Sequence, residues 1–452
     1  MKVKPIHTIT VAGIAASLAV ISVGCGGGSS KNTADLRNYN IVFVVTDQEH
    51  YFPQYPAGTN YQARKFLSEN GITFEKHYAC SNMSTSSRST MFTGKHVPDT
   101  GMTEATVTSL EDYGFSDWGG TDYIGALRQG NEIDPLIVEE VVEWLGNKGK
   151  NLNAEGKPFF LLVTMINPHD IMDYDITGYQ APKLHLGGAP DSEIYKTRYD
   201  TPIPLTYSFD LTDSELPEGI RLYSHNWGVL AGSFDQNDRG ININGENLST
   251  VESLWKDYQD YYFNCIQDSD NNLMQLISYL QNNDMLENTI IVFTSDHSEM
   301  HGSHGLKGKG GFIYENNIHV PLIIFHPDYE GGKKIDAVTS HIDLAATFAD
   351  IGGTLSSEKL AGKSLLPLML GDQKSVRDGA LFCYEMPSMS VPINYDKSDS
   401  TSLGKSYVAG FMKILRKTKT EGSMDRGIIR GLITNDGYKF VRYFAPCKQL
   451  HT

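Results

Sequence analysis

Tyr39-Asn40-Ile41-Val42-Phe43-Val44-Val45-Thr46 is a mostly apolar run that ends on Asp47. Its hydrophobicity is continuous rather than alternating, so both faces must be covered, as in the central strand of a sheet with helices on either side. A polar residue at the end of such a strand falls on the edge where open α/β sheets build their sites.

Outward from it the same pattern repeats. Phe159-Phe160-Leu161-Leu162-Val163-Thr164-Met165, Thr289-Ile290-Ile291-Val292-Phe293-Thr294 and Val320-Pro321-Leu322-Ile323-Ile324-Phe325 read as further strands. A capped helix is expected from Asp134-Pro135 through Leu136, Ile137, Val141, Val142 and Leu145, and a longer one over Val251 to Leu280 feeds the strand at Thr289. Alternating helix and strand predicts an α/β fold with a mostly parallel central sheet flanked by helices. Beyond Pro367 the pattern changes. Ile428 to Thr434 and Tyr438 to Tyr443 flank Asn435-Asp436-Gly437, a tight hairpin signal, so a small antiparallel C-terminal subdomain is expected. The polar stretch between Pro182 and Asn247 has no clear period and reads as long loops over the sheet edge, of the kind that shape a substrate pocket.

The 452 residues are enough for one large domain plus a smaller one. With 38 basic against 54 acidic residues and no basic run, the charge of -16 disfavours broad contact with nucleic acid, so an anionic substrate has to meet a local pocket. Met1-Lys2-Val3-Lys4, the apolar stretch Ile9 to Val23 and Gly24-Cys25 read as a bacterial lipoprotein export signal. Residues 1–24 are then the signal peptide, Cys25 the lipid anchor and 25–37 a flexible Gly/Ser tether. The protein is accordingly expected in the periplasm, membrane-anchored, with a catalytic α/β domain over 38–370 and an α+β subdomain over 371–452. Cys80, Cys265, Cys383 and Cys447 lie far apart without C-x-x-C spacing, which argues against a zinc site and leaves disulfides open.

Two segments carry chemistry. Ser84-Thr85-Ser86-Ser87-Arg88-Ser89-Thr90-Met91-Phe92-Thr93-Gly94 starts with small hydroxyl residues and continues in a helical pattern, so Ser84 sits at a helix start, where backbone amides favour an anion. Arg88, four residues on, shares its face. The second segment follows a strand and runs Thr294-Ser295-Asp296-His297-Ser298-Glu299-Met300-His301-Gly302-Ser303-His304-Gly305-Leu306-Lys307-Gly308-Lys309-Gly310. Strand-end carboxylates such as Asp47 and Asp296, with His297, can converge on a hard divalent cation.

These segments resemble the signatures of the sulfatase family, in the alkaline phosphatase-like superfamily. Ser84, Arg88, Thr93 and Gly94 fall in register with the nucleophile motif, and the Asp296 to Gly310 block resembles the S-D-H-G-E-M…H-G…G-K-G segment. Weaker likeness extends from about Asn40 to Tyr443. The resemblance implies hydrolysis of sulfuric esters by a formylglycine that a separate serine-type maturase makes from Ser84. It also implies a divalent metal, calcium with magnesium or manganese as alternatives, held by Asp47, Gln48, Ser84, Asp296 and His297. Arg88 then steadies the nucleophile, Lys309 contacts the sulfate, and His169, in Asn167-Pro168-His169-Asp170, serves the leaving oxygen. His96, His301 and His304 are further loop histidines that line the pocket. No other cofactor is implied, and the partner is a sulfated small molecule or glycan.

Two positions and one missing segment depart from the pattern. Gln48 stands where many members have a second aspartate, Ser86 where proline or alanine is usual, and no Gly-Lys-Trp-His-like segment occurs between Met102 and Gly146. One alternative is therefore a phosphodiesterase or phosphonate monoester hydrolase on the same scaffold. The other is a catalytically impaired, sulfatase-like binding protein.

Overall fold

The structure, a computed structural model, describes residues 9–12, 38–100, 115–119, 129–174, 188–207, 220, 242–243, 246–247, 251–354, 360–385 and 428–444. Cys25 with its tether, Cys447 and much of the segment between Met102 and Gly146 lie outside these residues.

Thirteen strands are formed among them: β1 (Ile9–Ala12), β2 (Asn40–Asp47), β3 (Ile72–Tyr78), β4 (Asp117–Gly119), β5 (Phe160–Pro168), β6 (Asn242–Ile243), β7 (Glu246–Asn247), β8 (Thr289–Ser295), β9 (Leu322–Phe325), β10 (Lys333–Ser340), β11 (Gly379–Glu385), β12 (Ile428–Thr434) and β13 (Lys439–Phe444). Eight of them make one sheet in the order β10-β3-β9-β8-β2-β5-β1-β4. The middle pairs β5-β2 and β2-β8 are parallel, as is β10-β3. β9 runs antiparallel to both of its neighbours, so the strand expected at Val320 to Phe325 begins at Leu322 and is inserted against the general direction. β1 comes from within the stretch read as an export signal and pairs antiparallel with β4 and β5.

The continuous apolar run of β2 is explained by its two faces. Val42 and Val44 pack with Leu161, Val163, Ile291 and Phe293 under α1 (Gln62–Asn70), α3 (Gln129–Trp144) and α4 (Val251–Asn282), through Leu67, Ile137, Val141, Leu273 and Ile277. Ile41, Phe43 and Val45 point the other way, toward Met91 of α2 (Ser84–Thr93) and Leu344 and Ile351 of α5 (Ile342–Ile351). Alternation of side chains along the strand thus feeds two separate cores.

The helix expected to open at Asp134-Pro135 begins earlier, at Gln129, and carries Pro135 inside it. Asp134 caps nothing of its own helix. Its carboxylate accepts from the Ile166 and Asn167 amides at the end of β5 (2.7 and 2.9 Å), while Asp170 accepts from the Gly130 and Asn131 amides at the helix start (2.9 and 3.1 Å). The two acids therefore exchange roles across the gap, each satisfying the other element's unpaired N–H groups. The elements approach so closely that a Cβ at Gly130 would sit 2.3 Å from the Asn167 side chain.

The C-terminal hairpin forms as expected, with β12 antiparallel to both β11 and β13. Its inner side chains Phe382, Tyr384, Ile429 and Ile433 pack on Met300, Leu306, Phe312 and Ile313, so this sheet backs the glycine-rich loop after β8. No helix among the described residues is long and apolar enough to cross a membrane.

The exchange between Asp134 and Asp170 has a measurable cost of removal. Asp134→Ala strands two buried amides and should lower the unfolding free energy in urea by about 2–4 kcal/mol, with Asp134→Asn, which keeps one acceptor, losing less. A change below about 0.5 kcal/mol for the alanine variant would show that these bonds do not hold the two elements together.

Candidate active site

Because β5, β2 and β8 are adjacent and parallel, their carboxyl ends lie side by side. Asp47 ends β2, His169 follows β5, and Asp296-His297 follow β8. β3 points the same way and leads through Ala79 to Met83 into α2, which brings Ser84 to this edge as the first helical residue. The helix stops at Gly94, whose left-handed backbone (φ 62°) closes the last turn by donating to the Thr90 carbonyl at 3.0 Å.

Ser84 Oγ lies 3.3 Å from Asp47 Oδ2, 3.0 Å from His297 Nε2 and 3.2 Å from Lys309 Nζ. Lys309 Nζ is also 2.6 Å from His297 Nε2. Arg88, one turn after Ser84, spans the two carboxylates, with Nε 3.0 Å from Asp296 Oδ2 and its terminal nitrogen 3.1 Å from Asp47 Oδ2. Ser84, Arg88, Lys309, Asp47, Asp296 and His297, picked out from distant parts of the chain, are therefore one constellation.

The electrostatics follow from this crowding. Burial pushes the Asp47 carboxyl up, but His169, Lys309 and His297 outweigh it and hold the group well below the usual carboxylate range. Burial lowers the Lys309 ammonium, with Asp47 and Asp296 opposing. The His169 imidazole is brought down to about 4 by burial, against the pull of Asp47. At neutral pH it is an uncharged N–H donor.

Ligand atoms of Asp47, Asp296 and His297 all lie within 4.8 Å of one another. Two further observations bear on a cation. Asp47 Oδ1 and Gln48 Oε1 are buried oxygens without a hydrogen-bond partner, and such atoms are costly unless something accepts their lone pairs. The donor set, oxygen-rich with one imidazole, fits a divalent ion of the hard class. Gln48 itself is fully buried and sits at φ 71°, an unusual backbone for a side-chain-bearing residue.

Some contributors were not singled out from sequence. Ser87 hydrogen-bonds both the Asp296 carbonyl and His341 Nδ1 (the latter at 2.9 Å), which ties α2 to the end of β8. Glu299 is buried beneath the loop and receives Tyr258, His301, Gly308 and Gln48. Its signal was present as the acid of the Asp296 block, but nothing local revealed what it holds. The loop histidines divide: His301 is buried against Tyr262, His304 stacks on Tyr314 at 3.9 Å, and His96 lies half-buried beside the Val97–Thr100 turn.

A family model described as Sulfatase matches residues 107–354, more than half of the chain. The chain belongs to the sulfatase family. As a sulfatase it is a sulfuric ester hydrolase, and the matched range holds His169 and the Asp296 to Lys309 loop, while Asp47, Ser84 and Arg88 precede it and join through the bonds above. It is 26% identical to the N-acetylglucosamine-6-O-sulfatase of Bacteroides thetaiotaomicron, across 80% of this chain and 76% of that one. Two solved structures share the fold. BT4656 in complex with its substrate D-glucosamine-2-N,6-O-disulfate gives a TM-score of 0.56 at 19% identity, over 90% of this sulfatase and 88% of that chain. The phosphonate monoester hydrolase of Agrobacterium radiobacter gives 0.57 at 17%, over 90% and 87%.

The His341 link yields a pH prediction. Burial lowers the His341 imidazole to about 4 in the fold, below its ordinary 6.5, so the unfolded chain takes up a proton first as pH falls. Its contribution is complete above pH 6.5 and is lost toward pH 4. The stability of this sulfatase should therefore fall more steeply between those values than that of a His341→Gln variant, as read from urea midpoints; parallel curves would exclude a neutral buried imidazole at this position.

Proposed function

We propose that Ser84 is the precursor of a formylglycine and that this sulfatase uses it, with a divalent cation held by Asp47, Gln48, the residue at Ser84, Asp296 and His297, to hydrolyse sulfate monoesters of a small molecule or glycan. The observation that carries the reading is the placement of Ser84 Oγ at a helix N-terminus, within reach of Asp47, His297 and Lys309 at once.

A separate serine-type maturase would oxidise the Ser84 CH2OH to an aldehyde, which hydrates to a geminal diol. One diol oxygen attacks sulfur, the sulfur–oxygen bond to the alcohol breaks, and the alcohol departs with a proton. The resulting hemiacetal sulfate then expels sulfate and regenerates the aldehyde. A serine sulfate has no such exit, which is why an oxidised residue suits this chemistry. A cation bound there, calcium in the simplest case, would supply charge stabilisation for the reaction. Lys309 adds a fixed positive charge, and Arg88 holds Asp47 and Asp296 in place. We assign His169, at the strand end beside Asp47, to hand a proton to the leaving oxygen. Burial brings this imidazole down to about 4, and the negative charge of a sulfate beside it would oppose that shift.

The substrate class rests on the relatives, one an N-acetylglucosamine-6-O-sulfatase and one solved with a glucosamine disulfate. A periplasmic, lipid-anchored location, with acylation at Cys25, rests on the N-terminal sequence.

Mass analysis of the Ser84 peptide, after expression beside a serine-type maturase, should show loss of two hydrogens; an intact serine together with no sulfate release would sink the mechanism. His169→Asn should cut kcat by about 10²–10⁴-fold on an alkyl sulfate, which needs a proton on departure, and by far less on 4-nitrophenyl sulfate. The likeness to a phosphonate monoester hydrolase supplies the competing reading, in which aryl phosphonates are turned over faster than aryl sulfates.

A further inference from the structure

Glu299 lies outside the reacting constellation, yet it is fully buried and organises the loop that delivers Lys309. Its Oε1 accepts three hydrogen bonds, from Tyr258 Oη at 2.9 Å, the His301 amide at 3.1 Å and the Gly308 amide at 2.6 Å. Its Oε2 accepts from Gln48 Nε2. A carboxylate can only accept, so the atom of Gln48 that faces it must be the nitrogen. Gln48 Oε1 is thereby turned away, and it is this oxygen that is buried without a partner. The rest of Gln48 is fixed as well: its amide donates to Asp296 Oδ1 at 3.2 Å, and its carbonyl accepts from Tyr262 Oη at 2.8 Å, which holds the left-handed backbone in place.

We propose that Glu299 is a positioning residue that sets the orientation of the Gln48 amide, presenting its carbonyl oxygen to the cation cluster as a neutral ligand. The inference rests on the metal reading above. Asp47 and Asp296 already match the charge of a divalent ion, so a neutral third oxygen adds a bond without adding charge to a buried site.

The reasoning dictates how each substitution behaves. In Glu299→Gln the three donors keep an oxygen at the Oε1 position, so the new NH2 group meets Gln48 Nε2. Gln48 must then flip, giving its oxygen to the introduced amide and aiming its own NH2 group at the cation. In Gln48→Glu an extra anionic ligand is offered, but it faces Glu299. In the reciprocal exchange, Gln48→Glu with Glu299→Gln, the NH2 group introduced at position 299 donates to the carboxylate introduced at position 48. The second oxygen of that carboxylate is then left for the cation.

The test is calorimetric titration of CaCl2 into the chelator-stripped full chain, with circular dichroism as a check of folding and the calcium-dependent rise in Tm as a second readout. Glu299→Gln should weaken the Kd by about 10–100-fold. Gln48→Glu should weaken binding rather than tighten it, and the reciprocal exchange should restore the Kd to within about threefold of the wild type. A structural role for Glu299 alone would not produce that rescue. Unchanged affinity in Glu299→Gln beside weakened affinity in Gln48→Ala, or tighter binding by Gln48→Glu, overturns the positioning role and leaves the metal reading intact. No saturable heat from the wild type with CaCl2, MgCl2 or MnCl2 removes both.

Discussion

Two carboxylates, Asp47 and Asp296, converge with His297 at the ends of adjacent parallel strands, in a place with little water to screen them. Like charges so placed repel, and the surrounding structure is arranged around relieving that repulsion. Arg88 touches both acids, Lys309 approaches from the loop after β8, and Asp47 Oδ1 and Gln48 Oε1 accept no hydrogen bond, although the former lies 3.3 Å from His297 Nε2. The need for positive charge at this point links the α2 helix, the glycine-rich loop and the strand ends into a single unit.

That unit is supported from behind by buried polar bonds rather than by apolar packing alone. Arg64 pairs with Glu49 at 2.5 Å and Asp270 at 2.9 Å, all three out of solvent, which fastens α1 and α4 to the residue pair following β2. Asp134 and Asp170 fasten α3 to the β5 end that carries His169. The C-terminal sheet presses on the loop bearing Glu299 and Lys309 through Phe382, Tyr384 and Ile429. Buried pairs of this kind add little net stability compared with apolar substitutes, but breaking one partner is costly, so they favour one geometry of the site over many.

Much of this was legible in the chain itself. The apolar runs at Ile41, Leu161 and Ile290, the hairpin at Asn435-Asp436-Gly437, and Ser84 at a helix start all reflect local rules of periodicity, turn chemistry and capping, which a sequence displays directly. Asp134 was misread for an equally local reason. An acid before a proline looks like a helix cap, and nothing nearby reveals that the acceptor is needed 32 residues later, at Ile166.

The sequence by itself determined the sulfatase scaffold and named Ser84 and the five side chains gathered with it, because strand ends and motif blocks are written in contiguous residues. Only the tertiary structure decided what each polar group answers to: Arg88 to two acids, Ser87 to His341, Gln48 to Glu299. Most of those partners are separated by some 200 residues or more and become neighbours only once the order of strands is fixed, since a hydrogen bond depends on distance in space and leaves no periodic trace along the chain.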